Sequence, residues 1–150
     1  MSSPEAINGA IDALIAVITA NLTTLGLTTV TETDQEPRYL APPEAYVIPF
    51  VEGIDSIKIL SGGEEHTYPI NVVGFYKYVD IQTGLRPVRT YGLTALDLFT
   101  RSNGTLHFTM TGGVNGGAEV NDTTLEVGYW RTGDYIMHYW QLGLQIRQIV

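Results

Sequence analysis

Apolar side chains recur at intervals of three and four from the start of the chain: Ile7, Ile11, Leu14, Ile18, Leu22 and Leu25. On a helix that spacing lines them into one stripe, so the pattern predicts an amphipathic helix with an apolar partner. Ser2 or Ser3 can cap it, Pro4 suits its first turn, and Ser2 with Glu5 has capping-box spacing. Gly26 is the expected stop, and Asn8, Asp12 and Asn21 fall off the stripe. A sheet is the expected partner.

The period then drops to two. Residues 28 to 44 are rich in Thr and acids and hold Pro42-Pro43, so they predict an exposed connection with at most a short strand. A strand is predicted through Ala45 to Val51, where Pro49 implies an edge position or a bulge. Ile57 to Leu60, Ser61-Gly62-Gly63-Glu64-Glu65 and His66 to Tyr78 read as a hairpin. On its return strand Tyr68, Ile70, Val72, Tyr76 and Tyr78 share one face, opposite Thr67, Asn71, Val73, Phe75 and Lys77. Both faces are partly apolar, which predicts a strand covered on both sides.

A second helix is expected from Gly84-Leu85-Arg86-Pro87 onward. Leu85, Val88, Gly92, Leu96 and Phe99 carry its spacing, Ala95 lies beside them, and Ser102-Asn103-Gly104 ends it. Leu106 to Met110 reads as a short strand, followed by the tip Gly112-Gly113-Val114-Asn115-Gly116-Gly117. Thr123 to Trp130 is the returning strand, and Arg131 to Asp134 turns the chain. The last segment alternates most cleanly, with Ile136, Trp140, Leu142, Leu144, Ile146 and Val150 on one face. Met137, Tyr139, Gln141, Gln145 and Arg147 take the other. No internal repeat or second-domain boundary is visible, so the 150 residues predict one α+β domain: a mixed or antiparallel twisted sheet with an N-terminal helix and a second helix packed on it.

Composition narrows the function mainly by exclusion. The chain has no cysteine, which removes disulfide and thiolate chemistry. No basic region precedes an apolar stretch at the N-terminus, so a secretory signal is not expected. Its longest apolar run, Ala13 to Ala20, falls well short of the about 20 residues a membrane span needs, and no membrane is expected as a partner. A net charge of −8 disfavours gripping of a phosphate backbone.

Catalytic motifs are absent from the pattern. His66, His107 and His138 lack metal-ligand spacing and read as surface or interface residues. There is no G-x-S-x-G elbow, and Ala118-Glu119 stands where a phosphate loop would need Lys and Ser or Thr. The expectation is a non-enzyme without cofactor or metal.

The aromatic cluster Tyr129, Trp130, Tyr135, Tyr139 and Trp140 supports two readings. One is core and sheet-face packing; the other is an assembly surface, because Tyr and Trp are enriched where proteins meet. Trp140 belongs to the more apolar face and is expected inside. Trp130, Tyr135 and Tyr139, with the tip residues Gly112, Gly113, Asn115, Gly116 and Gly117, are the candidate assembly contacts.

The order of elements resembles the tail-terminator, or tail-completion, proteins of long-tailed bacteriophages and related neck and tail-tube-capping subunits. The stripe Ile7 to Leu25, the strands from Val47 to Tyr78, the helix Leu85 to Phe99 and the strands Leu106 to Met110 and Leu125 to Val150 carry it. It covers nearly the whole chain as topology, without a diagnostic motif. The resemblance implies a virion protein assembled in the host cytoplasm. A ring, usually of six copies, would sit on the last tail-tube ring, stop polymerisation and dock the head connector. DNA would pass through without specific binding, which an acidic wall favours. The competing readings are a neck or head-completion protein and a small β-rich carbohydrate- or peptide-binding module; a hydrolase has no motif to support it.

Overall fold

The two long apolar alternations of the sequence lie side by side in the middle of one sheet. A computed structural model of the chain describes residues 4–33, 42–49, 56–60, 63–99, 107–108, 118–132 and 135–149. In chain order these form α1 (Pro4–Ala20), β1 (Thr29–Glu32), β2 (Glu44–Pro49), β3 (Ser56–Leu60), β4 (Gly63–Tyr78), α2 (Ile81–Leu98), β5 (His107–Phe108), β6 (Ala118–Thr132) and β7 (Tyr135–Ile149). The seven-stranded sheet runs β1-β2-β4-β7-β6-β5, with β3 also paired to β4. β1 is parallel to β2 and every other pairing is antiparallel. The architecture is therefore the expected α+β one, a mixed sheet carrying two helices.

α1 buries Ile11, Leu14 and Ile18, and the turn after it buries Leu25 and Leu27. That turn closes as a Schellman motif: Leu27 N–H donates to the Leu22 carbonyl and Gly26 N–H to that of Thr23. Gly26 takes φ +64° there, where a side chain would be strained and would also collide with the Tyr91 ring. Asn8 and Asp12 are exposed as the stripe requires. α1 lies against β1, β2 and β5, and α2 against β4, β7 and β6.

α2 starts earlier than the expected Gly84. Asp80 caps it by accepting a hydrogen bond from Thr83 N–H at 2.9 Å, so Pro87 lies inside the helix. Its buried face is Gly84, Val88, Gly92 and Ala95, while Leu85 and Leu96 are only half-buried. Small residues face the sheet because the helix sits close to it.

The short strand allowed within residues 28–44 is present, and three other strand expectations change in detail. The 28–44 connection contributes β1, whose Thr-rich residues pair in parallel with β2. β2 is consequently internal and ends at Pro49, one step beyond Ile48 and past the end of β1 pairing, where a missing N–H costs no bond to β1. The first hairpin sets Leu60 opposite Gly63, so only two residues lie between them. β6 begins at Ala118 and continues to Thr132, so Arg131 belongs to a strand rather than to the turn. The β4 expectation holds: Ile70, Val72 and Tyr76 are buried under the helices, and Val73 and Phe75 are buried on the opposite face.

Candidate functional site

Strand alternation divides the sheet into two unlike faces. The helix-covered face holds the main core, with Trp140, Leu142, Leu144 and Ile146 of β7 opposite Gly74, Val72, Ile70 and Tyr68 of β4. At its centre Trp140 Nε1–H donates to the Tyr76 hydroxyl at 2.8 Å, and that hydroxyl donates to the Leu25 carbonyl at 2.5 Å. Tyr91 of α2 stacks on Tyr76 with ring centroids 4.9 Å apart. Burial pushes the Tyr76 phenol well above its usual range, so it stays a neutral donor. One hydroxyl thus joins the turn after α1, strand β4 and strand β7.

His138 lies on this same face and is buried, against the surface or interface placement expected for it. Its ring sits beneath Gly84 with Nε2 3.2 Å from the Ile81 carbonyl, between Tyr78 and Tyr129. The burial comes from α2's close approach, which Gly84 permits. Among the described residues no group of three or more His, Asp or Glu could hold a metal ion.

The other face is aromatic at one end. Register places Glu44, Phe75, Tyr139 and Gly128 in one row across β2, β4, β7 and β6, with Met137 and Trp130 in the next row along β7 and β6. Phe75 meets Trp130 edge-on at 5.6 Å and Tyr46 at 6.1 Å, and Trp130 lies 5.5 Å from Tyr139. The Tyr139 ring covers Gly128, where any Cβ would come within 2.6 Å of its hydroxyl oxygen, and that hydroxyl donates to Glu126. Tyr46 donates to the Glu44 carboxylate; burial first, then that carboxylate, pushes its phenol up to about 12. Ile48, Val73, Phe75 and Met137 are buried beneath this layer.

Of the predicted contact residues, Trp130 and Tyr139 come together here, Trp130 partly exposed and Tyr139 half-buried. Tyr135 opens β7, opposite Thr132. Gly112, Gly113, Asn115, Gly116 and Gly117 lie outside the described residues. Sequence reasoning missed Tyr46 and Phe75 as members of the cluster. The signal was the second apolar face of β4, which already implied a second layer. It also missed Val127, which with Tyr129 is an exposed apolar side chain on the helix-side face of β6, opposite in face to Trp130. An aromatic layer flanked by Glu44, Glu126 and Lys77 offers contact area and hydrogen bonds, the chemistry of a protein interface.

No family model matches the chain, and no curated protein matches it. Solved structures do. A chain from the virion of a native gene transfer agent (GTA) particle superposes with a TM-score of 0.57, covering 97% of this chain and 100% of that one at 13% identity. The likeness is one of fold.

Proposed function

We propose that this chain is a structural protein of a phage-like virion, working by assembly with its own copies and with neighbouring virion proteins. The observation that carries this reading is the end-to-end fold likeness to a virion chain, which leaves almost nothing of either chain unmatched. The order of elements supports the finer assignment of a tail terminator. In that role a ring of six copies caps the tail tube, ends its polymerisation and receives the head connector.

Physical features are consistent with the role. A head-to-tail contact repeated by rotation closes into a ring, whereas one that fails to close grows a fibre. Each contact needs at least about 1,000 Å², and β6 displays Val127, Tyr129 and Trp130 toward solvent for it. A net charge of −8 suits a wall past which DNA slides without sticking.

The test is negative-stain electron microscopy of the purified protein, alone and mixed with tail tubes. Rings, or caps on tube ends with shorter tubes as protein is added, are the expected result. A protein that leaves tube length unchanged and never decorates an end is not a terminator.

A further inference from the structure

Among the described residues the outer edge of β6 is paired only at its start, where Ala118 and Glu119 lie opposite Phe108 and His107 of β5. Carried along β6 past its bulge between Val120 and Asp122, that register would bring Tyr129 to Thr132 opposite the last turns of α2. Helical residues cannot continue a ladder, so β5 has no way to extend over Tyr129 to Thr132. Among the described residues no other strand pairs there. Val127, Tyr129 and Trp130 are 39%, 47% and 37% exposed, and the stretch has no Pro and a single charge, Arg131, to blunt the edge. Unpaired backbone N–H and C=O groups along such an edge are satisfied best by another extended backbone.

The opposite edge of the sheet is β1, which among the described residues pairs only with β2. Its Thr29, Thr31 and Glu32 are exposed. From β1 to β6 the strand direction is kept once and reversed three times, so β6 runs opposite to β1. Rotation about an axis along the strands preserves direction. A neighbour's β1 would therefore meet β6 as an antiparallel partner, the more favourable ladder.

Charge selects this pairing. Val30 and Glu32 of β1 share the helix-side face with Ala45 and Val47, and Tyr129 and Arg131 of β6 share it with His138 and Ile136. A register with Glu32 opposite Tyr129 also sets Val30 opposite Arg131 and Thr31 opposite Trp130. It leaves the carboxylate one cross-strand diagonal from the guanidinium. Pairing of β6 with another β6 offers Arg131 no such acid, because Glu126 is on the other face.

We propose that β6, from Tyr129 to Thr132, pairs antiparallel with β1 of a second copy, carrying the sheet from subunit to subunit around a closed ring. The proposal rests on the assembly reading above.

The absence of native cysteine makes the test clean. Glu32→Cys and Tyr129→Cys chains are mixed at high protein concentration, with and without tail tubes, and oxidised. The expected product is a disulfide dimer in the mixture and none in either chain alone. In parallel, Arg131→Glu and Glu32→Arg should each weaken self-association about tenfold by light scattering, and the double reversal should restore it. Dimers from Tyr129→Cys alone would mean β6 meets β6 and would overturn the proposal. Rings that form normally with either single reversal and give no mixed disulfide would overturn the edge pairing but leave the assembly reading intact. No assembly under any of these conditions would overturn both.

Discussion

The hydroxyl of Tyr76 ties together three separate parts of the core. It accepts from Trp140 Nε1 and donates to the Leu25 carbonyl, both inside the core. Tyr76→Phe keeps the ring stacking but strands a buried donor and a buried acceptor. The expected loss is about 1–3 kcal/mol, read by chemical denaturation. A neutral result would mean that the α1 turn is held without this bond. The same residue sets an alkaline limit. Burial raises the phenols of Tyr76 and Tyr78, and that of Tyr46 is pushed up to about 12, against an ordinary value of 10.0. Above pH 10 the unfolded chain loses these protons while the folded chain keeps them. Stability is therefore full below that pH and falls as pH rises further. Denaturation midpoints from pH 8 to 11 should show the fall, and Tyr76→Phe should reduce its slope. His138 marks what a lone sequence hides: its strand position was readable, but its burial depended on a glycine in a distant helix.

At the scale of elements, α2 is the clearest case of geometry reversing a local preference. Gly84→Ala would ordinarily favour a helix by about 0.5–1 kcal/mol. Here the added Cβ would meet His138 Cε1 at 2.3 Å, so the helix must lift or the ring must move. The expected outcome is destabilisation by about 1–3 kcal/mol, visible as a lower Tm with helix content retained. A raised Tm would show that α2 packs less closely than described. Leu14→Ala in α1 should cost about 2–5 kcal/mol by leaving a cavity in the core, measured the same way. The strongest alternations, β4 and β7, were readable almost to their ends because their side chains alternate between two faces with a local period of two. α2's first turn was not, because Gly84 and Pro87 masked the Asp80 cap. β1 was not either, since nothing in Thr29 to Glu32 says that it pairs in parallel with β2. Trp130 and Tyr139 were readable as contact candidates. That β6 lies near the end of the strand order described was not, because an edge is a property of strand order and not of the strand.

For the whole molecule, charge and assembly oppose each other. Every copy brings a net −8, so bringing copies together raises mutual repulsion, and a chain that closes with its own kind must overcome it through apolar and backbone contacts. Screening shortens from about 30 Å at 0.01 M salt to about 8 Å at 0.15 M. That relieves repulsion between whole subunits, while the proposed contact through Tyr129 and Trp130, being apolar, would not be weakened by salt at these concentrations. Self-association should therefore strengthen as salt rises over this range, by a factor that light scattering can read at fixed protein concentration. Contact dominated by opposite charges would weaken instead. DNA responds in the contrary sense: a surface that grips phosphates binds best at low salt. No retardation of duplex DNA is expected even at 0.01 M salt, where a cationic patch would be most effective. If mobility shifts appear at low salt and vanish with added salt, the acidic-passage reading fails. Assembly that tightens with salt, beside indifference to DNA, is the joint signature of a ring that surrounds a polyanion without holding it.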